Sequence, residues 1–224
     1  MRVGLHLVVI EGPSILRHPA FTNAEGWFPS DQLALGLRYF FLPSVRRALE
    51  AEIRAQFAAF AATGLALDHA DAHKHMHLHP TVGAMLLRIG REYGLRAVRV
   101  PCEPPEVMAS CGVPPTLGAR AMAAWSSIFR RQAIRAGMRV NDAMFGLAWS
   151  GAMTEARVLR LIAELPDGIS ELYFHPAATR DPLLDRWMPT YQHEAELAAL
   201  LSPAVRAALE AKGVIRGGYT DIAG

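Results

Sequence analysis

Apolar runs alternate along this chain with stretches whose apolar residues recur every three or four positions. Val3 to Ile10 is rich in β-branched residues and reads as a buried strand. Pro43 opens the first helical pattern, as proline does at a first helical position. Val45, Leu49, Ile53, Phe57 and Phe60 give that helix an apolar stripe, and Gly64 stops it. Leu65 to His73 reads as a strand. Pro80 to Tyr93 reads as a helix with Val82, Leu86, Ile89 and Tyr93 on one face and Gly94 at its end. Ala97 to Val100 and Met138 to Asn141 are short strands, separated by a helix from Leu117 to Ala136 that Gly137 closes. A helix from Thr154 to Leu165, a strand from Ile169 to Phe174, helices from Gln192 to Leu200 and from Pro203 to Lys212, and a last strand starting at Val214 complete the pattern. Two stretches break it. Glu11 to Leu42, with Gly12, Pro13, Pro19, Gly26 and Pro29, reads as a long irregular segment of the kind that forms functional lids. Cys102 to Pro115 reads as a proline-rich loop.

Strand and helix in alternation predict an α/β fold, a parallel sheet or barrel with crossover helices. The roughly six strands fall short of a regular eight-stranded barrel. The 224 residues suit one domain, residues 1–224, able to bury a core without staples. A net charge of +2, with no dense basic run among aromatics, argues against a nucleic-acid partner. Cys102 and Cys111 match no zinc spacing and make no disulfide framework, so they read as free thiols of a reducing compartment. No apolar run reaches the ~18 residues of a membrane span, and the N-terminus lacks the features of a signal peptide. The expectation is a cytoplasmic protein.

The chemistry concentrates in Asp68-His69-Ala70-Asp71-Ala72-His73-Lys74-His75-Met76-His77-Leu78-His79-Pro80, which holds five of the nine histidines. His69, Asp71, His73, His75, His77 and His79 share one parity, and a continuing strand would put them on one face. The strand is expected to end near His73, placing the histidines at its carboxyl end, where α/β folds keep their active sites. Imidazole and carboxylate donors suit a divalent metal. One strand cannot wrap a metal alone, so one or two of these histidines would ligate and others would orient ligands, move protons or bind substrate. His6, inside an apolar strand, reads equally as a core residue or as a ligand from a neighbouring strand. His175 ends another strand just before Pro176 and reads as a general acid, a substrate group or a packing residue. Arg99, among apolar residues, needs a partner: a catalytic carboxylate, a polar substrate or a structural ion pair. Asn141 and Asp142 end another strand and are weaker candidates. Tyr39-Phe40-Phe41-Leu42 and Trp27-Phe28 read as core, or as a groove for a lipid or a sugar ring.

Gly4-Leu5-His6-Leu7, Asp71-Ala72-His73-Lys74-His75-Met76-His77 and Glu171-Leu172-Tyr173-Phe174-His175-Pro176 resemble, in order and spacing, the YdjC-like carbohydrate deacetylases. The flanks Val8-Val9-Ile10-Glu11-Gly12, Ala55-Gln56-Phe57 and Arg99-Val100-Pro101-Cys102-Glu103-Pro104 resemble the hopanoid-biosynthesis-associated branch. The resemblance implies a deformed (β/α) TIM-like barrel and a divalent metal ion, magnesium, zinc or similar. His6 and His73 would be ligands, with His77 the alternate for His73. His175 and Arg99 would be catalytic, and Asp71, His75 and Glu103 would bind substrate. It implies removal of an acetyl group from an amino-sugar, on an N-acetylglucosaminyl hopanoid or on soluble chito-oligosaccharides, with a non-catalytic metal- or sugar-binding fragment as the other outcome. A peripheral membrane contact and a homodimer are compatible with it. In relatives roughly sixty residues, the first strand–helix unit of the barrel, precede the Gly-Leu-His strand and carry an Asp-Asp motif. This sequence has no counterpart, so the expectation is a barrel lacking that unit, one ligand and the catalytic base.

Overall fold

The computed structural model describes residues 2–221. In chain order its elements are β1 (Val3–Leu7), α1 (Gln32–Phe41), α2 (Pro43–Ala62), β2 (Leu67–Ala72), α3 (Pro80–Glu92), α4 (Pro105–Ser110), α5 (Leu117–Arg135), β3 (Ala143–Phe145), α6 (Glu155–Glu164), β4 (Ser170–Leu172), α7 (Pro182–Trp187), α8 (His193–Leu201) and α9 (Pro203–Ala211). Short 3-10 turns lie at His73–Leu78 and Tyr219–Asp221. Proline occupies the first turn of α2, α3, α4, α7 and α9, where its missing N–H costs nothing.

The chain divides into two compact units. Among the described residues the first comprises 2–99, 128–140 and 217–221; the second comprises 100–127 and 141–216.

In the first unit β1 pairs with β2 in parallel. Ala97 and Val98 continue the pairing as single bridges, Val98 to Ala70 and Ala97 to Arg139. The core gathers Leu7, Tyr39, Leu49, Ile53, Phe57, Leu86, Ile89 and Val98, each fully or almost fully buried. The strand expected through Ile10 stops at Leu7, because a side chain takes over its ladder. Gln56 on α2 accepts from Val8 N (2.9 Å) and donates to Val8 O (2.6 Å), while the Tyr39 hydroxyl donates to Val9 O at 2.8 Å. The segment expected to be irregular contains α1, capped by Asp31, which accepts from Ala34 N at 2.9 Å. Its inner side is only Leu35 and Tyr39, and apolar residues also cover its outer side, so no polar face marks the helical period. The strand expected from Val214 is absent among the described residues: the chain runs irregularly to Gly218, and the Asp68 carboxylate receives Tyr219 N and Thr220 N instead, both at 3.0 Å.

In the second unit β3 pairs in parallel with β4. Met108, Phe145, Met153, Leu161, Ile162 and Ala199 pack together as its core. The strand expected at Met138–Asn141 is not formed beyond the single Ala97–Arg139 bridge. At its end the Asn141 amide accepts from Val100 N (2.7 Å) and donates to Val100 O (2.9 Å), doing with a side chain what a next strand residue would do. The proline-rich loop contains α4.

The architecture is therefore mixed α/β, with two-stranded parallel sheets and parallel bridges. Among the described residues the pairing goes no further than these short parallel pieces, so the mixed α/β class stands and the expected TIM-like barrel is not shown.

Candidate active site

His6 and Asp71 are register partners on β1 and β2. On the same face lie Gly4 and His69, two residues earlier on each strand. A Cβ on Gly4 would meet the His69 ring at 2.6–2.8 Å, so the glycine makes room for that ring to lie across β1. His69 is held by Asp68 (3.0 Å) and packs on Tyr219, centroids 4.8 Å apart.

His6 Nδ1 lies 2.8 Å from Asp71 Oδ1. The carboxylate is 4% exposed and also accepts from Arg99 through Oδ2. Burial by itself would raise the Asp71 pKa. The His6 hydrogen bond and the Arg99 charge outweigh it and hold the carboxyl well below the usual carboxylate range. With Asp71 ionised, Nδ1 of His6 donates to it, and Nε2 stands outside this bond. The side chain is about half exposed.

β2 ends at Ala72, and the histidines that follow part company. Lys74 and His75 have φ of 50° and 53°, in the left-handed region that ordinary residues rarely adopt. Lys74 Nζ reaches Glu11 Oε2 at 2.6 Å, and Glu11 itself has φ of 46°. This reversal breaks the shared parity. His73 stays partly exposed, with Nε2 3.9 Å from Glu11 Oε2, and its ring meets His6 edge-on, centroids 5.7 Å apart. His75 faces inward, and burial first, then the Arg99 charge, lowers its pKa to about 4. His77 is 1% exposed, its ring 5.1 Å from that of Phe129. Neither of its ring nitrogens meets a partner in good hydrogen-bond geometry, and burial followed by the charge of His75 lowers its pKa to about 3. His79 turns away to the Gly36 carbonyl, 3.0 Å. Gly83 lets α3 settle here: a Cβ would lie 2.4 Å from His77 O.

The donor set can be tested against a divalent ion. His6 and His73 are adjacent, partly exposed imidazoles from separate segments, and His6 is backed by a carboxylate, the arrangement that orients a metal-ligating histidine. Burial lowers the pKa of both His75 and His77, which favours the neutral, ligating form; His77 is buried, while His75 keeps partial exposure. Among the described residues no group of three His, Cys, Asp or Glu side chains is poised to hold an ion. What the structure supplies towards an ion is this pair of adjacent imidazoles, His6 and His73.

The other predicted residues lie in the second unit. Glu103 accepts from Gly146 N (2.9 Å), Leu147 N (3.0 Å) and Ala148 N (2.9 Å). Its pKa is raised by burial, which outweighs the three N–H groups. His175 follows β4, with Tyr173 and Tyr191 against its ring at 5.3 and 4.9 Å. Its backbone N–H donates to Glu196 Oε2 and its carbonyl accepts from His193 Nδ1. Glu196, fully buried, also accepts from Met153 N at 2.9 Å.

Sequence reasoning missed Glu11, Gln56, Glu196 and His193. Gln56 carried a signal: with Glu52 it interrupts the apolar face of α2 between Leu49, Ile53 and Phe57, and a polar residue there must be answering a buried backbone group. Glu11 and Glu196 are separated in sequence from what they hold; Glu11 stood out only as part of a flanking motif, and nothing local marked Glu196.

A family model described as YdjC-like protein matches residues 1–211. A carbohydrate deacetylase of Mus musculus is 31% identical over 94% of this chain and 74% of its own length. One of Geobacillus stearothermophilus is 27% identical over 95% of this chain and 72% of its own. A shorter match, 37% identical, covers 41% of this chain and 35% of a carbohydrate deacetylase of Brevibacillus brevis. The crystal structure of a candidate cellobiose-phosphate cleavage protein from Enterococcus faecalis V583 superposes with a TM-score of 0.72 at 19% identity, over 98% of this chain and 77% of that one, a likeness of fold.

Proposed function

This chain belongs to the YdjC-like protein family, and we propose that it is a carbohydrate N-deacetylase, hydrolysing the acetamide of an amino-sugar to acetate and a free amine. The observation that carries the reading is the Asp71–His6–His73 cluster at the carboxyl ends of two parallel strands.

His6 and His73 would hold a divalent ion, the remaining positions falling to water, substrate or an aspartate of the kind the resemblance implies. When bound, such an ion polarises the acetyl carbonyl and lowers the pKa of water towards neutrality. Asp71 fixes the His6 tautomer and ring orientation. Arg99 keeps Asp71 ionised and acts through it. His75, neutral and inward, lines the substrate side. For His175, on the second unit, the resemblance implies a catalytic position. Glu103 serves substrate binding through the 146–148 loop it holds.

For the acceptor we propose a glycolipid, an N-acetylglucosaminyl hopanoid, on the strength of the flanking motifs. The test is acetate release by the metal-loaded protein from N-acetylglucosaminyl lipid and from free chito-oligosaccharides. Faster release from the lipid supports the full reading. Faster release from the free sugars keeps the deacetylase and removes the lipid. No release from either by a folded, metal-loaded protein refutes the enzyme.

A further inference from the structure

The outer face of α1 carries Leu33, Leu37, Phe40 and Phe41, at helical spacing, with Leu42 directly after them. These residues are 74%, 50%, 47%, 66% and 43% exposed. The opposite face is anchored by Leu35 and Tyr39, so the helix is fixed in place while showing apolar side chains to solvent. A soluble helix ordinarily puts polar residues there. Phe40 and Phe41 pack edge-on against each other, 4.9 Å between centroids, which leaves a continuous apolar ridge.

Charge surrounds the ridge asymmetrically. Between Asp31, which caps α1, and Glu50, on the second turn of α2, the only charged residues are Arg38, Arg46 and Arg47. Arg38 is occupied by the Ala20 carbonyl. Arg46 and Arg47, on the first turns of α2, are exposed and make no ion pair among the described residues. They line a groove with Pro43, Glu50, Thr81 and Arg88, in which the one carboxylate, Glu50, pairs with Arg88 at 3.0 Å rather than with either of them. Exposed apolar side chains beside unpaired arginines match the two layers of a membrane surface, acyl chains below and anionic headgroups above. A sugar or a neutral protein face would answer only one of the two. No helix among the described residues is long and apolar enough to span a bilayer, so the contact would be peripheral.

We propose that α1 and the start of α2 form a docking surface for an anionic phospholipid bilayer, with Leu33, Leu37, Phe40 and Phe41 entering the headgroup–acyl boundary and Arg46 and Arg47 engaging phosphate. The inference stands apart from the deacetylase reading, since binding is read without turnover.

The test is co-sedimentation of the full chain with vesicles of phosphatidylcholine alone or mixed with phosphatidylglycerol. The unsubstituted protein partitions onto the mixed vesicles, and binding weakens as salt rises, because exposed charge is screened. The pair Arg46→Gln and Arg47→Gln weakens partitioning on the order of tenfold or more. The pair Leu37→Ser and Phe41→Ser abolishes it, with the circular dichroism melt confirming a folded variant. Failure of the folded, unsubstituted protein to sediment with the mixed vesicles overturns the proposal. So does equal, salt-independent binding to both vesicle types, or a self-associating protein whose exposed ridge is covered by a second copy and binds no lipid. The salt and lipid dependence of the unsubstituted chain decides the matter even if a variant misfolds.

Discussion

His6 Nδ1 and Asp71 Oδ1 stand 2.8 Å apart across two parallel strands whose register makes the residues direct partners. The contact settles which imidazole nitrogen is left to act. It also places the Asp71–Arg99 ion pair behind an exposed side chain, so a change at either residue reaches the surface through His6.

Asp71→Asn removes the charge that fixes the His6 tautomer. Metal affinity should fall by roughly 10- to 100-fold, the usual cost of losing such a partner. Stability should fall too, because Arg99, only 13% exposed, is left without its carboxylate. Isothermal titration with zinc, together with urea unfolding, measures both.

Gly83→Ala places a methyl against the His77 carbonyl, a backbone atom that cannot swing aside. The expected loss is on the order of 1–3 kcal/mol in urea unfolding. Because the clash falls on the histidine segment, metal affinity should drop with it. Gly64→Ala serves as a contrast: nothing lies within 4 Å of a Cβ there, so only its positive φ opposes the change.

Asp68 gives the fold an acid-sensitive latch. Its carboxylate receives Tyr219 N, Thr220 N and the Thr220 hydroxyl. Burial pushes its pKa up, but these bonds and that from His69 prevail and bring it down to about 2 from 3.8. A carboxyl depressed in the folded state stabilises above its unfolded pKa and loses that contribution as pH falls through its folded one. Stability should therefore decline from about pH 4 down to about pH 2, by an amount on the order of 1–2 kcal/mol from this group. Asp68→Asn should be less stable at neutral pH and flatter over that window. Thermal melts across pH read both.

Glu196→Ala strips the partner from two backbone N–H groups, of His175 and Met153. Each buried donor left unpaired costs about 1–3 kcal/mol. Turnover should fall beyond what lost stability explains, because the His175 backbone loses its anchor; kcat measured well below the variant's Tm separates the two. A kcat equal to that of the unsubstituted protein would remove His175 from the proposed chemistry.

Long periodic helices were legible from side-chain spacing: α2, α3, α5, α6, α8 and α9 begin and end within a few residues of where proline, glycine and the apolar stripe put them. The histidine segment announced itself by density. Its geometry did not, because parity predicts a face only while the strand continues, and the left-handed Lys74 and His75 end that rule at once. The missing strands have a common cause. Gln56, Asn141 and Asp68 use side-chain groups to satisfy backbone that a sequence reader assigns to a ladder, and the residues doing so are distant in sequence or belong to helices. α1 was hidden because apolar residues cover its outer face as well as its inner one, which blurs the contrast between its two sides.

The central claim is that His6 and His73, sixty-seven positions apart, share one divalent ion. Calorimetric titration of zinc into the unsubstituted protein, His6→Ala, His73→Ala and the double variant tests it most directly. The account predicts a single site whose affinity falls at least about tenfold with either substitution, and no further large loss in the double variant. Undiminished affinity in either single variant, with the fold intact, would contradict it.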